Sequence, residues 1–140
     1  MVKKCLSLKE LRLLVVDDDV DTRKILAILF KLEGAKIITV ASAAEALKVM
    51  LYFQPDVLIC DICLPNEDGY SLLKKVRTLS QEQRRPQIPA IAMTAFVNEE
   101  HRAHALLTGF QRHLYKPIDL KLLVHVVANL TNSVSNCNFN

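Results

Sequence analysis

Residues 13–19 read Leu13-Leu14-Val15-Val16-Asp17-Asp18-Asp19, four apolar residues in a row and then three acids. A run apolar at consecutive rather than alternate positions has both faces buried, as a strand inside a parallel sheet does. The acids that stop it mark the strand's carboxyl end. The pattern returns along the chain. Val57 to Cys60 is a second such run and ends at Asp61, and Ala90 to Met93 is another and ends at Thr94. Lys36 to Val40 is short and β-branched. Arg112 to Tyr115 is short and less apolar, which suits a sheet edge.

The intervening segments have helical periodicity. Ile25, Leu26, Ile28, Leu29 and Leu32 repeat at helical spacing, and Gly34 closes that segment as a C-terminal cap. Ser42 with Glu45 three residues on is a capping box, followed by Leu47, Met50 and Leu51 and broken at Pro55. Leu64 to Gly69 is rich in turn residues. Leu72, Leu73 and Val76 mark the next helix, and Ser80 to Pro89 reads as a surface loop. Asn98 with Glu99 and Glu100 opens a helix ending near Gly109, and Asp119 caps a last one carrying Leu122, Leu123, Val126, Val127 and Leu130. Five β/α units predict an α/β fold, a parallel sheet with helices on both faces.

Composition agrees with one globular domain. The 140 residues are 51% hydrophobic and 24% charged, with three Gly and five Pro, enough apolar material for a core and too little polarity for disorder. That length leaves no room for a separate DNA-binding or catalytic domain. The net charge of +3 is too mild to argue for nucleic acid, and Tyr70, Phe96 and Phe110 are too dispersed to stack bases. No apolar stretch approaches a membrane span and the first ten residues lack a signal-peptide core, so a cytoplasmic protein is expected. Cys5, Cys60, Cys63 and Cys137 are scattered and read as free thiols.

In open α/β sheets, sites form outside the carboxyl ends of the strands. The residues found there are Asp17, Asp18 and Asp19, then Asp61, then Thr94 and Ala95, then Lys116 and Pro117. Alone, each is an ordinary strand-end acid, hydroxyl or surface lysine. Their joint placement on one rim is specific. Val15-Val16-Asp17-Asp18-Asp19, Asp61-Ile62-Cys63-Leu64-Pro65 with Asp68-Gly69, Met93-Thr94-Ala95 and Lys116-Pro117 together resemble the response-regulator receiver domain of two-component and phosphorelay signalling. The resemblance covers residues 11–131, with residues 1–10 as a lead-in and 132–140 as a loose tail. It implies a flavodoxin-like sheet of order 2-1-3-4-5 and a cis Lys116–Pro117 peptide.

The resemblance also implies a chemistry. Asp61 would accept a phosphoryl group from a phosphohistidine donor, a use of aspartate in covalent phosphoryl transfer. Mg²⁺ would be held by Asp17, Asp18, Asp61 and the carbonyl of Cys63, as suits a hard cation among mutually repelling carboxylates. Lys116 and Thr94 would contact the phosphoryl oxygens. The expected partners are a histidine kinase or a histidine phosphotransfer protein, with no nucleic acid and no membrane. The protein would not be an enzyme on a separate substrate, since it catalyses only its own phosphorylation and slow dephosphorylation. Phosphorylation would switch partner binding, or homodimerisation, on the face of the fourth helix, fifth strand and fifth helix.

The family's usual aromatic switch residue, three positions before the lysine, is His113 here. Coupling of His113 to Thr94 would bring pH sensitivity, because imidazole titrates near neutrality. Cys63 and Phe96 flank the expected line of water attack and cannot position a water, which implies slow self-dephosphorylation. A degenerate receiver acting as a phosphorylation-independent interaction module is the alternative. Other readings fit less well. Cys60-Asp61-Ile62-Cys63 is formally a C-x-x-C, but Cys60 ends a buried run. His101 and His104 lack further metal ligands. The D-x-D-x-T/V motif of haloacid-dehalogenase-type phosphatases begins plausibly at Asp17 and Asp19, but Asp21 stands where Thr or Val belongs. The Leu8-Lys9-Glu10-Leu11 lead-in and the residues from His113 to Asp119 are similar to receivers of hybrid histidine kinases.

Overall fold

The computed structural model describes residues 4–6, 8–95, 103, 109–131 and 134–136. Its elements are β1 (Lys4–Leu6), β2 (Arg12–Val16), α1 (Val20–Leu32), β3 (Lys36–Val40), α2 (Ala43–Met50), β4 (Val57–Asp61), α3 (Gly69–Glu82), β5 (Ala90–Thr94), β6 (Arg112–Tyr115), α4 (Leu120–Leu130) and β7 (Val134–Asn136). Strands β2 to β6 form one parallel sheet in the order β3-β2-β4-β5-β6. Numbered among themselves these five strands run 2-1-3-4-5, and β6 lies at an edge. Every residue of β4 and β5 is buried, as the unalternating apolar runs require.

The helices begin where side-chain acceptors meet the free amides of a first turn. Asp19, Ser42, Asp68 and Asp119 accept from the backbone N–H of Asp21, Glu45, Ser71 and Leu122; each such cap is worth about 1 kcal/mol. Two cores follow from the two faces of the sheet. Leu14, Val16, Leu58 and Cys60 pack with Ala46 and Val49 of α2 and Leu72, Leu73 and Val76 of α3. Leu13, Val15, Ile59, Ile91 and Met93 pack with Leu26 and Phe30 of α1 and Leu123, Val126 and Val127 of α4.

One sequence expectation needs correction, and at three other places the structure adds to the sequence reading. Helix α3 continues through Ser80 to Glu82, because Ser80 is buried on its inner face and no breaker intervenes; the loop starts only where Arg84 turns to φ 54°. The apolar positions of α1 are split, since Leu26 and Phe30 are buried while Ile25, Ile28 and Leu32 face outward. The lead-in contributes one residue to the core. Leu8 is fully buried in the core beneath α1 and α4, held by a turn in which Leu11 N–H donates to the Leu8 carbonyl. The loose tail contains β7, which pairs antiparallel with β1 in the register Leu6 to Val134. Pairing between chain ends is a long-range event that local composition does not signal. The helix expected from Asn98 to Gly109, with His101, His104 and Phe96, falls largely outside the described residues, as does Cys137; Ala103 is helical and Gly109 turns at φ 100°.

Candidate functional site

The carboxyl ends of β2, β4, β5 and β6 meet at one rim. Asp17 follows β2 directly and is fully buried, fixed by its own N–H to the Val40 carbonyl. Its Oδ1 accepts from the Asp19 N–H at 2.9 Å, and its carbonyl accepts from Arg23 Nη1 at 2.8 Å. Asp61 ends β4 and is 6% exposed, with Oδ1 accepting from the Cys63 N–H at 3.0 Å. From β6, Lys116 Nζ donates to Asp17 Oδ2 at 2.8 Å and to Asp61 Oδ2 at 3.0 Å. Its backbone N–H donates to the carbonyl of the buried Thr94 at 2.7 Å. The Lys116–Pro117 peptide is cis, as the resemblance implies.

The charges do not balance within the cluster. Asp17, Asp18 and Asp61 offer carboxylate oxygens within 4.8 Å of one another, against the single ammonium of Lys116. Burial is the main cause that raises the Asp61 carboxyl above its ordinary range, with the charge of Asp17 adding to it; Lys116 and the Cys63 N–H oppose the rise. Burial alone would lower Lys116, but its hydrogen bonds to Asp17 and Asp61 prevail and hold it above its ordinary value. Lys116 therefore stays cationic at neutral pH. The excess of negative charge on oxygen donors fits a hard divalent cation, so the donor set suits the Mg²⁺ that the resemblance implies.

Not every residue at the rim joins the cluster. Asp19 is turned away, capping α1 and accepting from Thr22 Oγ1 at 2.7 Å; its place just before a helical run was the available signal. Asp18 is exposed. His113 is half-buried, opposite Ala92 in the β5–β6 register, with its ring centroid 5.0 Å from that of Tyr115. Cys60 is buried within β4, its Sγ donating to the Asp61 carbonyl at 3.1 Å, and burial pushes its thiol well above the ordinary value. Burial also raises Cys63. Neither is a thiolate at neutral pH, so the C-x-x-C reading has no nucleophile.

Two contributors escaped the sequence reading. Gly69 opens α3 directly against the acceptor strand, and a Cβ there would stand 2.7 Å from the Asp61 carbonyl oxygen and 3.0 Å from Ile62 Cα. The turn signal Asp68-Gly69 was visible, but the close approach behind it was not. Arg23 tethers the acidic loop from one turn into α1, and a surface-reading arginine in a helix gives no hint of that.

Comparison with known proteins matches residues 13–128 to the family model of the response regulator receiver domain. The chain is 39% identical over 121 residues to an uncharacterized 14.6 kDa protein in the sodA1 3′ region of Leptolyngbya boryana, covering 86% of this chain and 90% of that one. It is 33% identical over 126 residues to response regulator SaeR of Staphylococcus epidermidis, covering 90% of this chain and 52% of SaeR; it thus spans about half of that relative. Among solved structures, a putative response regulator from Chloroflexus aurantiacus J-10-fl is 32% identical with a TM-score of 0.79, over 89% of this chain and 99% of that one. A chain of the co-crystal structure of the Saccharomyces cerevisiae phosphotransfer protein Ypd1 with the receiver domain of Ssk1 has a TM-score of 0.82 at 20% identity, over 89% and 90% of the two chains. That last likeness is one of fold.

Proposed function

The chain belongs to the response regulator receiver domain family, and on that premise we propose that it accepts a phosphoryl group on Asp61 from a phosphohistidine donor. The observation that carries this reading is the Lys116 ammonium bridging Asp61 and Asp17 at 3.0 and 2.8 Å. It leaves the other Asp61 oxygen bound only by the Cys63 N–H, at the carboxyl-end rim of the sheet. An Asp61 oxygen attacks phosphorus, the P–N bond to the donor histidine breaks, and an acyl phosphate forms as the imidazole leaves. Lys116 then pairs with a phosphoryl oxygen, and the Thr94 hydroxyl donates to another. Asp17, Asp18, Asp61 and the Cys63 carbonyl would hold Mg²⁺, which supplies neutralisation of charge on the transferring group. The protein in this reading catalyses only its own phosphorylation and hydrolysis.

The donor is a histidine kinase or a histidine phosphotransfer protein, a class represented by the Ypd1 partner of Ssk1. Beside Lys116 and Pro117, a groove of about 490 Å³ is lined by Thr22 and Ile25 of α1 and Leu120 of α4. Farther along α1, Ile28 and Leu32 are also exposed apolar side chains, at 62% and 80%. Contiguous apolar surface of this kind marks protein docking, and it adjoins the acceptor. The output passes through β6 and α4, with His113 sensing the position of Thr94.

Incubation with acetyl phosphate and Mg²⁺ followed by intact mass measurement tests the reading. One phosphoryl adduct forms on the wild type and none on Asp61→Asn. Absence of an adduct on folded wild type overturns the proposal and favours a phosphorylation-independent interaction module.

A further inference from the structure

On the face of the sheet away from α1 and α4, helices α2 and α3 leave a groove of about 510 Å³ between them. Its floor is apolar. Leu47 and Leu51 lie one turn apart along α2, and Leu79 faces them from α3. Leu47 and Leu79 are half-buried against the core, whereas Leu51 is 61% exposed and the adjacent Tyr52 is 70% exposed. Solvated lysine stems often cover such seams, yet here they leave Leu51 open.

The rim is cationic. Lys48 stands on the α2 side and Lys74 and Lys75 on the α3 side, against one acid, Glu82. Lys75 is engaged with Glu67 at 2.7 Å, while Lys48 and Lys74 have no ion pair among the described residues. An apolar trough between uncompensated lysines selects a guest with bulky apolar side chains flanked by carboxylates. The α2 wall is eight residues long, about 12 Å, which accommodates roughly two turns of a guest helix.

We propose that the α2–α3 groove docks an acidic amphipathic helical segment of a partner protein. Its apolar side chains enter between Leu47, Leu51 and Leu79, and its carboxylates meet Lys48 and Lys74. The groove shares no residue with the Asp61 cluster, so docking and phosphorylation occupy separate surfaces. The proposal stands whether or not Asp61 is the phosphoacceptor.

The test uses the whole ¹⁵N-labelled chain titrated with a synthetic peptide about four turns long, leucines on one face and glutamates elsewhere. A scrambled peptide of the same composition and vesicles containing phosphatidylglycerol serve as comparisons. The expected result is saturable shifts confined to residues 47–52 and 74–82. Lys48→Glu with Lys74→Glu should weaken binding about tenfold or more and remove its salt dependence. Leu51→Asp, a change at an exposed position, should abolish it. Unchanged melting of both variants shows that they fold. Shifts absent from the groove, equal response to the scrambled peptide, preference for the vesicles or indifference to the substitutions each overturn the proposal.

Discussion

At the scale of single residues, the site is organised by what surrounds Asp61 on each side. Lys116 and the Cys63 N–H hold its two oxygens, while Gly69 leaves the space behind its carbonyl. A methyl group at position 69 would sit 2.7 Å from that oxygen and 3.2 Å from Cys60 Sγ, atoms belonging to a buried strand and unable to yield cheaply. Gly69→Ala should therefore push the start of α3 away from β4 at a cost of about 1–3 kcal/mol, the usual penalty for overpacking. Chemical denaturation measures the loss. Acetyl phosphate labelling of Asp61 should slow in the same variant, since the displaced loop carries Cys63. A stability change below a few tenths of a kcal/mol would mean the contact relaxes without moving the strand.

At the scale of elements, helix α1 separates what a sequence pattern can tell from what it cannot. Ser42 and Asp119 lie where helix starts were legible, and Asp19 and Asp68 cap by the same rule although they read as a rim acid and a turn residue, because capping is a local hydrogen-bond problem solved within four residues. The buried strands were equally legible from their unbroken apolar runs. The facing of α1 was not. Ile25, Leu26, Ile28, Leu29, Phe30 and Leu32 cover more of the helix than one stripe, and only the packed sheet decides that Leu26 and Phe30 go inside. The surplus is a surface. Because Ile25 also lines the groove at Lys116, Ile28→Arg should lower the rate of transfer from a phosphorylated histidine phosphotransfer domain by about tenfold, the weight of roughly 1.4 kcal/mol at an interface. Labelling by acetyl phosphate, which needs no docking, should be unchanged. Equal losses with both donors would place the effect in the fold instead. The same logic explains the site: Asp61 and Lys116, 55 residues apart in the chain, were legible as strand-end residues of one sheet, whereas the Arg23 tether and the Gly69 contact arise only from the meeting of separate segments.

At the scale of the molecule, the core draws on a residue that precedes the five-stranded sheet. Leu8 lies fully buried with Leu13, Phe30 and Val127, so Leu8→Ala should cost about 2–4 kcal/mol in denaturant, although the sequence reads its segment only as a lead-in. The Asp61 cluster acts on stability in the opposite sense. Asp17, Asp18 and Asp61 crowd together with one ammonium between them, so the native state carries repulsion that the unfolded chain escapes. A cation that binds only the native state stabilises it by RT ln(1 + [L]/Kd), about 2.7 kcal/mol at a hundredfold excess over Kd. Mg²⁺ should thus raise Tm by several degrees. Asp18→Asn should suppress that rise while leaving the Lys116 bridge intact, since Asp18 takes no part in it. The pH dependence follows from Asp61, whose carboxyl is raised above its ordinary value of 3.8, chiefly by burial. A raised acid binds its proton more tightly when folded. Without metal, its ionisation costs nothing below pH 3.8, costs more as pH climbs towards the raised value, and costs a constant amount above it. The wild type should lose stability relative to Asp61→Asn across that window. With Mg²⁺ the sign reverses, because the cation needs the ionised form, and the gain in Tm should fade as pH falls through the same window. Equal Mg²⁺ responses in wild type and Asp18→Asn would put the cation elsewhere on the molecule.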